Sequence, residues 1–169
     1  MRVIRSRQVR RGEEQHFSGN VKIEMLYDAE PPAMISASLV TFEPRARTAW
    51  HYHPLGQLLI VTNGKGIIKA EGEEAVEIKE GDVIWTPPGQ RHWHGASPTL
   101  SMTHIAIQEK KDGKNIEWLE KVSDNEYDNT WATIGSLKAY RANDDKELRT
   151  LLKMLGVLLP IITIRLDSI

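Results

Sequence analysis

Four of the six histidines fall in two pairs, His51 with His53 and His92 with His94. Side chains two apart on a β-strand point to the same face. Each pair therefore presents two imidazoles to one side of a sheet. Imidazole is the commonest metal ligand and suits Mn, Fe, Ni, Cu and Zn. Four imidazoles converging on one interior would otherwise strand several polar nitrogens, and buried polar groups need partners. The chain has no cysteine, which removes disulfides, thiolate metal sites and cysteine nucleophiles. Any metal must then sit on His, Gln, Asn, Asp or Glu. Gln57 shares the parity of the first pair, with Pro54-Leu55-Gly56 between them.

The elements around these residues read as short strands. Val21 to Leu26, Met34 to Phe42, Trp50 to His53, Gln57 to Thr62 and Gly66 to Ala70 carry β-type patterns. Ala75 to Ile78, Val83 to Thr86, His92 to His94 and Leu100 to Gln108 continue the series. Asn63-Gly64 predicts a hairpin, because both residues accept positive φ. Glu80-Gly81-Asp82, Pro87-Pro88-Gly89 and Ser97-Pro98 mark further turns. Many short strands at this spacing imply an antiparallel sandwich or barrel. The last third differs. Ile116 to Leu119 reads as a helical turn. Ser123 with Glu126 three places on reads as a helix start. Asn143 reads as the cap of a helix from Asp144 to about Leu155, stopped by Gly156 and Pro160, with a strand at Ile161 to Ile164.

Length and charge bound the function. At 169 residues the chain has room for one domain with a real core. Lys plus Arg is 22 and Asp plus Glu is 23, a net charge of -1. That weighs against a nucleic-acid binder. No apolar run reaches the ~18 residues of a membrane helix. The arginines Arg2, Arg5, Arg7, Arg10 and Arg11 have no apolar stretch behind them, so they read as a solvated arm and not a secretory signal. The reading is a soluble, cytoplasmic protein.

At the histidines the sequence resembles the cupins. Their first motif has Gly, five residues, His-x-His, three or four residues, Glu, six residues, Gly; here Arg45, His51-x-His53, Gln57 and Gly64 stand in that frame. Their second has Gly, five residues, Pro-x-Gly, two residues, His, three residues, Asn; here it is Gly81, Pro87-x-Gly89, His92 and Ala96. The resemblance implies an all-β fold, an antiparallel double-stranded β-helix (the jelly-roll barrel), and the tail outside the resemblance reads as a short C-terminal helical extension. It divides the chain into an arm at 1–20, a barrel at 21–128 and an extension at 129–169. It also implies a metal on His51, His53, Gln57 and His92. Gln57 in place of Glu leaves the full charge on the ion, making it a stronger Lewis acid. If Gln57 stood aside, three histidines and water would remain.

The stretches Phe42 to His51, His92 to Ala96 and Met102 to Glu109 resemble one branch more closely, the small bacterial cupins that include manganese-dependent (R)-hydroxynitrile lyases. That resemblance implies manganese on three His and one Gln, with iron, nickel and zinc as alternatives. It places His94 and His104 in the pocket. The parity of the residues agrees, since His94 matches His92, and His104 matches Met102, Ala106 and Gln108. A free imidazole beside a Lewis acid is a natural general base. The implied reaction cleaves a cyanohydrin to an aldehyde and cyanide, with His104 or His94 taking the proton. The other of these, or Gln108, meets the cyanide. The alternative for both histidines is hydrogen-bonding support of the ligands. Ser38, Val40 and Phe42 share one strand face and read as pocket wall or as ordinary core. The competing functions are a cupin dioxygenase and a non-catalytic small-molecule binder. The expected partners are a small-molecule substrate and further copies of the chain, as a homodimer or homotetramer.

Overall fold

A computed structural model describes residue 1 and residues 3–154. The strands are β1 (Val9–Arg11), β2 (Phe17–Ser18), β3 (Val21–Asp28), β4 (Ile35–Phe42), β5 (Arg47–Thr48) and β6 (His51–Tyr52). They continue as β7 (Gln57–Ala70), β8 (Val76–Lys79), β9 (Val83–Thr86), β10 (His92–Ala96), β11 (Met102–Glu109) and β12 (Glu117–Trp118), and a helix α1 (Asp124–Met154) follows. One sheet runs β1-β3-β4-β11-β7-β9 and the other β2-β5-β10-β7-β8, with β6 on β10 and β12 on β6. Every pairing is antiparallel. This is the all-β cupin barrel that the motifs imply.

β7 belongs to both sheets. Gln57 to Ile60 pair with β9 and β11, whereas Lys65 to Ile68 pair with β8 and Gly66 to Ala70 with β10. Asn63-Gly64 is therefore not the predicted hairpin. It is the corner at which a single strand passes from one sheet to the other. Gly64 has φ 77°, and a Cβ there would overlap the Ser101 carbonyl. The sequence signal for positive φ is right, but the fold uses it to bend a strand.

The alternation along β4 and β11 sorts their two faces. Ser36, Ser38, Val40 and Phe42 point inward with His104 and Ala106, and all six are buried. The outward positions Ala37, Leu39, Ile105 and Ile107 are half-buried and apolar. They align with Leu58 and Ile60 of β7, and those with Trp85 and Val83 of β9. The inner cluster joins Phe17, Val21, Ile23, Phe42, Leu59, Val61, Ile68 and Met102 across the two sheets.

Several expectations are corrected. The described arginines of the arm, Arg5, Arg7, Arg10 and Arg11, are exposed as expected, but the segment is not a loose arm throughout, since Val9–Arg11 pairs with β3 and Phe17 enters the core. Glu117–Trp118 is a strand and not a helical turn, because it pairs with β6 and the pairing continues as Trp50 N–H donates to the Glu120 carbonyl and Leu119 N–H to the Trp50 carbonyl. Ser123 does cap the helix, with Glu126 N–H donating to its hydroxyl at 3.1 Å. Asn143, in contrast, lies inside α1 and caps nothing. The proposed stop at Gly156 and Pro160 and the strand at Ile161 to Ile164 lie outside the described residues.

The two departures from the cupin glycine and asparagine are now explained. Arg45 adopts the glycine-like conformation, φ 69°, and its guanidinium pairs with Asp128 at 2.8 Å. Ala96 is fully buried, and its carbonyl accepts the Tyr127 hydroxyl at 2.7 Å. Arg47 is also buried and donates to the Val122 carbonyl at 2.9 Å and to Asp124 at 2.7 Å, which fixes the start of α1. The chain forms two compact units, 1–130 and 131–169. The described part of the second is the remainder of α1, where Leu148 and Leu151 are exposed. Among the described residues no helix is long and apolar enough to cross a membrane.

Candidate metal centre

His51, His53 and His92 each offer a ring nitrogen within 4.8 Å of the others, and all three side chains are buried. Register explains their meeting, because His92 of β10 is the direct partner of His51 on β6. His53 follows β6, and its carbonyl accepts the amides of Gly56 at 3.2 Å and Gly89 at 2.9 Å. Each Nδ1–H donates to a main-chain carbonyl: His51 to Ala49 at 3.0 Å, His53 to Asn115 at 2.5 Å, His92 to Gln90 at 2.9 Å. These bonds fix the tautomer and leave each Nε2 with a bare lone pair. His53 Nε2 has no partner among the described residues although it is buried. Gln57 Oε1 lies 3.3 Å from His92 Nε2. Two ligands bound at ~2.1 Å and at right angles to each other are separated by about 3 Å. The donor set thus fits a divalent cation, and His51, His53 and His92 could hold it, with the Gln57 oxygen beside them.

The remaining site residues of the sequence reading face the same cavity, which has a volume of about 200 Å³. Ser38, Val40, Phe42, His94, His104 and Gln108 all line it. His94 and His104 stand edge to face, 4.9 Å between ring centres. Both nitrogens of His104 and Nδ1 of His94 lack a hydrogen-bond partner among the described residues. The wall is completed by residues that sequence reasoning missed, including Met25, Ser36, Thr48, Asn115 and Trp118. Ser36 has the strand parity of Ser38 and was open to discovery by that signal. Asn115 sits in a loop, where no period points to it. Trp118 connects His16, which stacks on it at 4.5 Å, with His51 at 5.0 Å.

Burial governs the protonation of these rings. It pushes His51 and His94 well below the ordinary imidazole value, with repulsion from neighbouring rings adding to it. It lowers His92 as well, against the pull of the Gln90 carbonyl. Burial holds His53 at about 4, opposed by its bond to Asn115. It also holds His104 at about 4, opposed by the nearby main chain of His104 and Ile105. All five rings are neutral at pH 7 and can face a cation.

The stability consequence has a definite sign. Above pH ~6.5 these rings are neutral in both the native and unfolded states and contribute no pH dependence. Below it, the unfolded chain binds protons that the native state refuses, so stability falls with pH, for His53 and His104 until about 4. A ring held at about 4 costs roughly 3 kcal/mol by that point. The metal-free protein is therefore expected to lose several kcal/mol between pH 7 and pH 4.5 in urea unfolding. Equal midpoints at the two pH values would contradict neutral, buried imidazoles.

Barrel, histidine cluster and adjoining cavity together define a cupin, and the chain belongs to the cupin family. Residues 38–105 match the family model described as a cupin domain. The chain is 54% identical over 117 residues to an (R)-mandelonitrile lyase of Granulicella tundricola, covering 69% of this chain and 89% of that protein. A crystal structure of a cupin-like protein from Thermotoga maritima is similar with TM-score 0.69 and 41% identity, covering 76% of this chain and 97% of that one. A cupin 2 conserved barrel domain protein from Rhodopseudomonas palustris shares the fold, with TM-score 0.57 and 16% identity over 66% of this chain and 77% of that one.

Proposed function

We propose that this cupin is a metal-dependent lyase that cleaves the carbon–carbon bond of cyanohydrins to give an aldehyde and hydrogen cyanide. The observation that carries the reading is His104, a buried imidazole with both nitrogens unpartnered among the described residues, on the cavity that His51 and His53 of the three-histidine cluster also line. Its relative of 54% identity, named (R)-mandelonitrile lyase, supports the same class of substrate. His51, His53, His92 and Gln57 would hold a divalent ion, which we assign as manganese and which would supply Lewis acidity toward the substrate hydroxyl.

The chain's own residues do the rest. Neutral His104 accepts the hydroxyl proton as the carbonyl forms. The electron pair of the breaking carbon–carbon bond leaves with cyanide. His94, or the second amide hydrogen of Gln108, stabilises that anion, and the proton held on His104 completes hydrogen cyanide. Phe42, Val40 and Ser38 form the wall that orients the rest of the substrate. The apolar outward rows on β4, β11, β7 and β9 support self-association into a dimer or tetramer.

The test is benzaldehyde release from racemic mandelonitrile by protein loaded in turn with manganese, iron, nickel and zinc. Enantioselective release that a chelator abolishes is expected, strongest with manganese. Protein shown to hold its ion but giving no release above background would sink the lyase reading. Dioxygen uptake or tight ligand binding without turnover would then point to the oxygenase or the binder.

A further inference from the structure

Gln57, Gln108 and Ser36 stand side by side in one cross-strand row, since Gln108 of β11 pairs with Gln57 of β7 on one side and Ser36 of β4 on the other. Their side chains form a directed chain of hydrogen bonds. The Ser36 hydroxyl donates to the Gln108 main-chain carbonyl at 3.3 Å. It accepts from Gln108 Nε2 at 3.2 Å and from Asn115 Nδ2 at 2.9 Å. One donor and two acceptor positions are all that a hydroxyl has. With Gln108 Nε2 turned to Ser36, Gln108 Oε1 faces Gln57 and accepts its Nε2 at 3.4 Å. Gln57 Oε1 is thereby left pointing at the bare His92 Nε2, 3.3 Å away. Two lone pairs facing each other at that distance make a place for a cation.

The polarity matters because an amide has two ends. If both glutamines turned over, Gln57 would present N–H groups to the site, and an N–H cannot bind a cation. The Asn115 branch reaches a second ligand, because the Asn115 carbonyl holds the Nδ1–H of His53. We infer that Ser36 is a positioning residue: its hydroxyl sets the direction of the Gln57 amide so that oxygen faces the metal centre, and through Asn115 it steadies the His53 ring. Ser36 is 2% exposed, so water does not replace it readily.

This rests on Gln57 serving as a ligand, so the measurement is metal affinity and not turnover. Cobalt(II) or manganese(II) would be titrated into the full-length metal-free protein, with the visible spectrum of the cobalt form recorded. Ser36→Ala is expected to weaken binding about tenfold or more and to change the cobalt spectrum, and Ser36→Thr, which keeps the hydroxyl, to stay near wild type. The decisive comparison uses Gln57→Glu, whose carboxylate presents an oxygen either way up. In that background Ser36→Ala is expected to cost clearly less, the remainder being the share that runs through Asn115 to His53. An equal loss in both backgrounds, or Ser36→Ala binding within twofold of wild type, overturns the positioning role while leaving the metal centre intact. Wild-type protein that takes up neither ion overturns the centre itself, and the positioning role with it.

Discussion

His53→Ala lowers metal affinity by an expected two to three orders of magnitude while leaving the metal-free fold close to its original stability. The two halves of this result have different causes. Structural metal sites release roughly 10–16 kcal/mol through about four ligands, so one ligand is worth about 3 kcal/mol, a factor of ~10² or more. The metal-free fold has little to lose, because His53 Nε2 makes no bond within the described residues and sits beside a cavity. The Nδ1 bond to Asn115 disappears, a neutral hydrogen bond contributing about 1 kcal/mol, together with the ring contacts to His51 and His92. Isothermal titration gives the affinity, and thermal melts with and without manganese give the stability. An ion in thousandfold excess over its dissociation constant stabilises by ~4 kcal/mol, and that increment shrinks in the variant. A variant that kept the full metal-induced shift would remove His53 from the ligand set.

His104→Phe is expected to lower kcat for cyanohydrin cleavage by about 10² to 10⁴, the range of a lost general base, without loss of metal. It is not one of the three clustered histidines, and it packs beside Phe42, 5.5 Å between centres. Phenylalanine keeps the packing and removes only the proton acceptor. The pH profile supplies the second half of the test. His104 is held at about 4 by burial, so it remains an unprotonated base through the mildly acidic range. Activity per folded, metal-loaded molecule should persist below pH 6 and fall as pH drops through about 4. A wild-type acid limb near 6.5 would assign the base to an ordinary imidazole elsewhere, and an unchanged kcat in His104→Phe would exclude this ring.

The site was more legible in the sequence than the architecture around it. The period of two in His51-x-His53 and His92-x-His94 carries both a face and a function, and it survives in the folded barrel. His104, Ala106, Ser38 and Val40 follow the same rule and line one wall or core. Asn63-Gly64 shows where local signals stop. A pair tolerant of positive φ states that the chain bends, but whether the flanks then pair with each other or with β9, β11, β8 and β10 depends on distant strands. Trp118 shows the same limit. Glu117–Trp118 forms two residues of strand only because Tyr52 and His51 lie opposite. In the sequence Gln108 shares the face of His104 and is, with His94, one of two candidates for meeting the departing anion. In the structure one of its amide hydrogens and its oxygen are committed to Ser36 and Gln57, a fact that only register could reveal.

The course of β7 bears on how fast an ion exchanges. The strand starts at Gln57 and ends at Ala70, which pairs with His92. Gln57 Oε1 and His92 Nε2 nevertheless lie side by side, so the two ends of one strand are brought back together at the centre. An ion gripping both residues acts as a clasp on a bent ribbon. Gln57 can turn away from His92 by side-chain rotation alone, whereas parting the two strand ends flexes the Gly64 corner, which is wedged against Ser101. A bound ion is expected to damp that opening, and slow, steeply temperature-dependent exchange would mark release by the second route. The amides flanking Gly64 should report it by exchanging their hydrogens more slowly once the clasp is closed.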